Sequence, residues 1–205
     1  MTDSSPAGHF DQRYGTDEYW YGTLPNDFLK EHVAALPPGG RVLCLGEGEG
    51  RNAVFLAAQG FEVVALDASA VGLAKAERLA GERGVSITTM CADLADFAMG
   101  RDAWDGIVSI WCHLPPVLRA RVHSDVGRAL RVGGAFLLEA YTPRQLEFKT
   151  GGPQSVELLP TLAALREELA GLRFELAIER ERDVHEGRGH GGRGAVVQVI
   201  ARRKG

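Results

Sequence analysis

The sequence has few of the residues that mark several large classes of protein. Its 205 residues include only three cysteines, and aromatic residues make up 7%. Cys44, Cys91 and Cys112 all lie in apolar contexts, and an odd number of such thiols favours a reducing compartment without disulfides. No apolar run approaches the roughly 18 residues of a membrane span, and the first 20 residues lack the apolar segment of a signal peptide. We therefore expect a cytoplasmic protein that does not bind membranes.

An excess of positive charge is also missing. The formal net charge is −4 and the sequence pI is about 5.9, which argues against a nucleic-acid groove. Hydrophobic residues make up 45% of the chain and charged residues 24%, values typical of a globular protein. The length suits one domain spanning residues 1–205. Whether that domain is a monomer or a homodimer is left open.

The most informative stretch is RVLCLGEGEGRNAVFLAAQGFEVVALD, residues 41–67. Its pattern predicts a buried strand, a loop with Gly46, Gly48 and Gly50, a helix that Gly60 ends, and a second strand that ends at Asp67. Glycines let a ligand approach the backbone closely, and a carboxylate at the tip of the neighbouring strand can accept both hydroxyls of a ribose. The stretch therefore predicts a nucleoside-binding site.

The spacing of the glycines and the charge of the loop indicate which nucleoside. A dinucleotide fingerprint needs G-x-G-x-x-G, whereas here Arg51 stands where the third glycine would fall. Glu47 and Glu49 would repel a pyrophosphate but would attract a cation. These features favour S-adenosylmethionine over a nicotinamide or flavin nucleotide. A glycine-rich turn in an unrelated α/β sheet is the structural alternative.

The next units of the chain place further polar groups at the same edge of the sheet. Ser69 is expected to cap a helix that runs to about Arg83, with Val71 and Ala74 among its inward-facing residues. A third strand over residues 85–90 leads to Asp93 and Leu94, which suit an adenine; alternatively, Asp93 only caps the following turn. A fourth strand over residues 104–110 leads to His113, a candidate base or orienting group, although a structural histidine is equally consistent.

The N-terminal region is rich in aromatic residues. We expect residues 1–9 to be disordered and residues 10–36 to form a lid and a helix capped by Asn26. Tyr14, Tyr19 and Tyr21 would close over the site, where rings could attract a sulfonium. Packing on the edge of the sheet is the alternative.

The last two strands are predicted over residues 174–184 and 195–201, as a hairpin around a glycine-rich turn. His185, Glu186 and His190 lie there, but one acid and two histidines without further ligands are weak evidence, so no metal site is predicted. Arg188 and His190 are candidate substrate contacts, a solvated turn is nearly as consistent, and the role of residues 187–194 is open.

Several of these motifs resemble a known family. LGEGEGRN at 45–52, Asp67, Ala92-Asp93-Leu94 and LRVGGAFLLE at 130–139 resemble motifs of class I S-adenosylmethionine-dependent methyltransferases. YGTLPN at 21–26, TGGP at 150–153 and EGRGHGGRGAV at 186–196 are similar to the tellurite-resistance and thiopurine methyltransferase-like branch.

The resemblance implies an α/β, doubly wound, Rossmann-like methyltransferase fold with seven strands in the order 3-2-1-4-5-7-6 and strand 7 antiparallel. It places the methionine part of the cofactor by residues 46–50, the ribose at Asp67 and the adenine between Ala68 and Asp93-Leu94. Many relatives have an acid where this chain has Cys44, so Glu47 would take over its role toward the ammonium group. The cofactor-binding residues so predicted are Gly46, Glu47, Gly48, Gly50, Arg51, Asn52, Asp67, Ala68, Ser69, Asp93, Leu94, Ser109, Ile110 and Trp111.

The leading hypothesis is methyl transfer from S-adenosylmethionine to a small-molecule acceptor, such as tellurite or a thiol-like soft nucleophile. His113, His190 and Arg188 would hold an anionic acceptor, and the product would be S-adenosylhomocysteine. A non-catalytic S-adenosylmethionine-binding sensor is the main alternative, and a nicotinamide oxidoreductase is a third.

Overall fold

The computed structural model describes residues 6–205. Its helices are α1 (Pro6–Tyr14), α2 (Asp27–His32), α3 (Arg51–Ala58), α4 (Ala70–Glu82), α5 (Pro116–Ala129), α6 (Gln145–Phe148) and α7 (Leu162–Glu168), with short 3₁₀ turns at Val33–Ala35 and Val156–Leu158. Its strands are β1 (Arg41–Leu45), β2 (Glu62–Asp67), β3 (Thr88–Cys91), β4 (Trp104–Ile110), β5 (Leu130–Tyr141), β6 (Leu172–Glu186) and β7 (His190–Arg203). None of the helices within residues 6–205 is long and apolar enough to cross a membrane.

The strands form one sheet in the order β3-β2-β1-β4-β5-β7-β6. The strands β1 to β5 pair in parallel, whereas β7 runs antiparallel to both β5 and β6. The predicted fold class and strand order are therefore confirmed. Because parallel strands point the same way, β1, β2 and β4 deliver the residues that follow them to one edge of the sheet.

Both faces of the sheet are covered, which explains why the central strands are apolar throughout rather than alternating. In β1, Leu43 and Leu45 join a core cluster that α5 and α7 cover, whereas Val42 and Cys44 join a cluster on the other face with α2 and α3. All four side chains are at most 2% exposed. The central strands are thus fixed rigidly, and so are the loops at their carboxyl ends.

Some predicted boundaries were wrong. The structure begins the third strand at Thr88, ends the regular helix after Asn26 at His32, and extends the last two strands to Leu172–Glu186 and His190–Arg203. The expectation of disorder over residues 1–9 is wrong for residues 6–9, which belong to α1. That helix packs against α4, so its stability comes from a contact distant in sequence. Residues 1–5 lie outside the described residues.

The glycine loop turns sharply between β1 and α3. Gly46, Gly48 and Gly50 have φ values of 60°, 62° and 89°, in the left-handed region that glycine adopts without strain. Gly50 also packs against α4, because a Cβ added there would lie 2.4 Å from the Cβ of Ala76. The close approach of α3 and α4 therefore requires a glycine at this position.

Gly50→Ala is expected to destabilise the protein more than Gly60→Ala. Gly60 has a matching φ of 90°, but a Cβ there would meet nothing within 4 Å. Alanine at Gly60 should cost about 1–2 kcal/mol for the left-handed backbone alone, and alanine at Gly50 about 1–3 kcal/mol more for overpacking. Urea unfolding midpoints of the two variants measure the difference. Equal midpoints would contradict the packing argument.

Candidate active site

The carboxylate of Glu47 lies beneath the glycine loop and binds the start of α3. One of its oxygens accepts hydrogen bonds from the backbone N–H groups of Asn52, at 2.9 Å, and Ala53, at 2.8 Å. Burial raises the pKa of Glu47 to about 7, although these two hydrogen bonds act in the opposite direction. Glu47 therefore satisfies two of the amides that a helix N-terminus leaves unpaired, and it titrates near neutral pH.

Asp67 ends β2 and ties that strand to the glycine loop. Its two oxygens accept from the backbone N–H groups of Gly48 and Ser69, each at 2.8 Å. Burial raises the pKa of Asp67 above its ordinary value, opposed by these hydrogen bonds. Ala68 follows at the same edge, and its carbonyl lies 3.6 Å from the thiol sulfur of Cys91. The predicted ribose-binding carboxylate is thus at the expected place, half-buried and braced by backbone donors.

Asp93 and Leu94 also lie at this edge, directly after β3. The Asp93 side chain accepts from the N–H of Ala95 at 2.7 Å, so it caps its own turn. The side chain is nevertheless exposed, and one oxygen is not used in that turn. Leu94 is buried, and its carbonyl accepts from Arg121 of α5. The capping role and the predicted adenine-binding role are therefore compatible.

Glu49, the other acid of the loop, is neutralised from within the protein. Its carboxylate is 3% exposed and lies 2.5 Å from the ammonium of Lys75 on α4. The same ammonium donates to the carbonyls of Tyr14, Thr16 and Glu18, at 3.3, 3.0 and 2.6 Å. Lys75 thus connects the N-terminal segment to the glycine loop. Sequence analysis missed it because the helical pattern directed Val71 and Ala74 inward, whereas the structure exposes both.

Two of the three predicted lid tyrosines lie against the site. A Cβ on Gly48 would be 2.6 Å from the Tyr14 hydroxyl, so this ring covers the loop directly. Tyr21 stacks on His190 with ring centroids 4.9 Å apart. Tyr19 instead packs on α4, where its ring lies 5.0 Å from the Lys75 ammonium. Tyr14 and Tyr21 are therefore placed as a lid requires, and Tyr19 helps to anchor the segment that carries them.

The end of β4 forms the boundary between the glycine loop and the rest of the site. Ser109 and Ile110 are 4% and 6% exposed and lie within the sheet. Trp111 follows with a φ of 57°, and its ring stacks on Tyr141 with centroids 4.3 Å apart. His190 lies against the same indole at 5.0 Å. Trp111, Tyr141, Tyr21 and His190 form a cluster of rings, here called the aromatic wall.

Both candidate catalytic histidines are neutral, and His190 is buried while His113 is half-buried. Burial lowers the pKa of His113 to about 4 and that of His190 to about 3. Backbone groups engage both nitrogens of His113, because Nδ1 lies 3.0 Å from the Trp111 carbonyl and Nε2 accepts from the Tyr141 N–H at 3.0 Å. These contacts favour the orienting and structural interpretations of His113 over a role as a base, because the ring is tied to the β4–α5 loop and to β5.

Arg188 does not line the aromatic wall. Its guanidinium is 65% exposed and forms an ion pair with Glu18, while its backbone N–H donates to the Trp20 carbonyl at 2.8 Å. The role of Arg188 toward an anionic acceptor stays a prediction, and the contacts of the residue favour the alternative of a solvated turn. The residue attaches the turn between β6 and β7 to the N-terminal segment.

A buried carboxylate that the sequence analysis did not select lies behind the aromatic wall. Glu139 is 0% exposed, in an otherwise apolar stretch of β5. It accepts two hydrogen bonds from Arg182, at 2.8 and 2.6 Å, and one each from Asn26 and Gln198, both at 2.6 Å. A charged residue within the run AFLLEAY was the available signal, since such a residue is rarely buried without partners.

Glu186 extends this network to the glycine loop. It accepts from Arg51 at the start of α3, from Asn26 at 2.8 Å, and from the indole N–H of Trp111 at 2.5 Å. Burial alone would raise the pKa of Glu186, but the Arg51 guanidinium and the hydrogen bonds hold it below its ordinary value. Asn52 joins as well, because its side-chain oxygen accepts from the Asn26 N–H at 2.9 Å. The predicted residues Arg51 and Asn52 thus belong to the hydrogen-bond network behind the aromatic wall.

The arrangement suits a nucleoside donor with a positive centre. Glu47 and Asp67 place two carboxylates at the glycine loop, and left-handed glycines bring the backbone close. A pyrophosphate would meet carboxylates here, and the loop N–H of Gly48 is already bound to Asp67. Within residues 6–205, no group of three or more His, Cys, Asp or Glu side chains is arranged to hold a metal ion.

Comparisons with known proteins agree with this geometry. Residues 42–134 match the family model of a methyltransferase domain. A curated relative, the 2-heptyl-1-hydroxyquinolin-4(1H)-one methyltransferase of Mycobacteroides abscessus, is 26% identical over 160 residues, which cover 76% of this chain and 70% of the relative.

Solved structures share the fold. A protein from work on the conversion of a disulfide bond into a thioacetal group during echinomycin biosynthesis superimposes with a TM-score of 0.79 at 20% identity, covering 98% of this chain and 92% of that one. TehB from Haemophilus influenzae gives 0.71 at 20% identity, covering 97% and 67%. An S-adenosylmethionine-dependent methyltransferase from Methanosarcina mazei gives 0.66 at 17% identity, covering 85% and 97%.

Lys75→Met is expected to destabilise the protein by about 3–5 kcal/mol, because it leaves Glu49 buried without its counter-charge. The double variant Lys75→Met/Glu49→Gln should recover much of that loss. Arg41→Met is the matched control, since its ion pair with Glu62 is exposed and should be worth about 0–1 kcal/mol. Urea unfolding measures the free energy of unfolding of all three variants. A Lys75→Met variant as stable as Arg41→Met would contradict the role assigned to Lys75.

Proposed function

We propose that this chain is a class I S-adenosylmethionine-dependent methyltransferase that transfers the methyl group to a small, planar, soft acceptor such as an aromatic thiol, a proposal that the match to a methyltransferase domain supports. The observation that carries this proposal is the aromatic wall, which includes the neutral His190 and has the neutral ring of His113 beside it, 6.3 Å from Trp111. The acceptor class is inferred from the groups that surround the aromatic wall.

On the donor side, the loop of residues 46–50 with Asp67, Ala68, Ser69, Asp93 and Leu94 would hold S-adenosylmethionine. The bound donor supplies a methyl group on a positively charged sulfur, and the loop carboxylates favour that charge. Tyr14 covers Gly48 and excludes water from the loop. Exclusion of water strengthens the attraction between the carboxylates and a cationic donor.

On the acceptor side, the protein offers no strong base. Histidines with pKa values of about 4 and 3 are weak proton acceptors at neutral pH. Burial raises the pKa values of the Tyr141 hydroxyl, well above its ordinary range, and of the Cys112 thiol, to about 12. An acceptor that loses its own proton near pH 7, or that reacts through a soft lone pair, needs only to be oriented against the rings.

The charges near the wall favour such an acceptor over a small, charged oxyanion. The guanidiniums of Arg51 and Arg182 are paired with Glu186 and Glu139, so neither supplies a net positive charge. Tellurite would gain little there. Membership of the tellurite-resistance and thiopurine methyltransferase-like branch is part of this proposal, and the likeness to TehB supports it only through the fold.

A second acceptor class, N-hydroxylated heteroaromatic rings, is favoured by the same wall. The name of the curated relative describes methylation of a hydroxyquinolone, a planar ring with an acidic hydroxyl. Such an acceptor would also stack on the indole and would also need little help from a base.

A screen of acceptors for the formation of S-adenosylhomocysteine tests the proposal. Thiophenol and 2-heptyl-1-hydroxyquinolin-4(1H)-one represent the two planar classes, while tellurite and 2-mercaptoethanol represent small acceptors without a ring. We expect the planar acceptors to give kcat/KM values about fivefold higher or more, because ring stacking is worth on the order of 1 kcal/mol. Turnover of tellurite alone would exclude the proposed acceptor class.

The affinity for S-adenosylmethionine is expected to rise with pH between pH 6 and pH 8. Glu47 has a pKa of about 7 in the free protein, and a bound cation favours its ionised form. Below pH 7, binding must therefore remove a proton, so affinity at pH 6 should be about tenfold weaker than at pH 8.

Binding calorimetry measures the change in affinity for S-adenosylmethionine between pH 6 and pH 8. His113 and His190 do not contribute to this change because they titrate well below pH 6. In Glu47→Gln the dependence should be nearly flat. A slope that persists unchanged in this variant would assign it to another group.

A further inference from the structure

Trp111 adopts a backbone conformation that a bulky residue rarely takes. Its φ of 57° lies in the left-handed region, which costs a non-glycine residue about 1–2 kcal/mol. Such strain persists only where the surroundings hold the residue firmly. The backbone N–H of Trp111 donates to the Glu139 carbonyl at 2.9 Å, which fixes the main chain but not the direction of the side chain.

The direction of the indole is fixed by Glu186. The indole N–H donates to one carboxylate oxygen of Glu186 at 2.5 Å, and Arg51 donates to that same oxygen. The other oxygen accepts from Asn26 at 2.8 Å and from Arg182 at 3.2 Å. With two donors on each oxygen, and with 4% of the residue exposed, the carboxylate cannot rotate without breaking a buried ionic contact.

The orientation so imposed determines the shape of the aromatic wall. The indole stacks on Tyr141 at 4.3 Å and meets His190 at 5.0 Å, and the Arg182 guanidinium lies 5.7 Å from its centroid. Because Glu186 ends β6 and His190 begins β7, one hairpin supplies both the carboxylate and a ring of the wall. An error in the position of Glu186 would therefore displace the surface that the acceptor touches.

We propose that Glu186 is a positioning residue. Its carboxylate fixes the direction of the indole of Trp111, whose main chain is left-handed, so that the ring forms the surface on which the acceptor stacks. The functional part rests on the proposed methyl transfer to a planar acceptor. The structural part does not, since the contact between the carboxylate and the indole exists without a ligand.

The structural part is tested with protein labelled with ¹⁵N at tryptophan. The chain has three tryptophans, and Trp111→Phe assigns the indole signal of interest. In Glu186→Gln we expect that signal to move upfield and its proton to exchange with solvent at least about tenfold faster. The indole of Trp104, which donates to the Met99 carbonyl at 2.8 Å, should not change.

Glu181→Gln is the matched control, because Glu181 lies on the same strand and also pairs with two arginines, Arg144 and Arg193, but near the surface. It should leave the tryptophan signals as they are. If Glu186→Gln fails to fold, exchange in the unmutated protein decides: rapid exchange of the Trp111 indole proton would overturn the proposal, and strong protection would support it.

The functional part is tested by measuring the kinetics of thiophenol methylation. Glu186→Gln should raise KM for thiophenol by about tenfold while the Kd for S-adenosylmethionine changes less than twofold. Trp111→Phe should have a similar effect, and the double variant should be no worse than either single one, because both act on one contact. Additive effects, or an unchanged KM, would overturn the positioning role. Absence of turnover by the unmutated protein would instead remove the proposed acceptor class, and the indole measurement would still decide the contact.

Discussion

The hydrogen bonding of the buried Glu139 carboxylate is the interaction on which the aromatic wall depends. An ion with no exposed surface is stable only when paired and fully hydrogen-bonded, and its four donor contacts come from three distant parts of the chain. Asn26 belongs to the N-terminal segment, Arg182 to β6 and Gln198 to β7, so the carboxylate links these three parts of the chain. Satisfying one charge therefore assembles the elements that carry the aromatic wall.

The donor side follows the same principle with different partners. Glu47 binds the amides of α3, Glu49 binds Lys75, and Asp67 binds the amides of Gly48 and Ser69. Three acids can thus lie within one loop and its neighbouring strand, because each has its own donors. Only Glu49 is neutralised by a cation, so the remaining negative charge favours a positively charged ligand.

The glycine-loop unit was predictable from the sequence because its signals are local. A strand, three glycines, a helix and a terminal acid fall within 27 residues, and each has a distinct physical requirement. The network behind the aromatic wall was not predictable, because its contacts join residues 113 and 160 positions apart, as between Asn26 and Glu139 or Glu186. His113 illustrates the difference: its position after β4 was correct, but no pattern could indicate that backbone groups occupy both of its nitrogens. Lys75 was missed for a related reason, since its partners belong to a segment about 60 residues earlier.

The hairpin of β6 and β7 has a consequence for how this fold can diversify. It carries Arg182, Glu186, His190 and Gln198, whereas the residues that match the methyltransferase domain end at position 134. Under the proposed function, a substitution in this hairpin alters the acceptor side and leaves the glycine loop of residues 46–50 unchanged. Variants that differ only in the hairpin would therefore share one donor site and differ in the acceptor that they take.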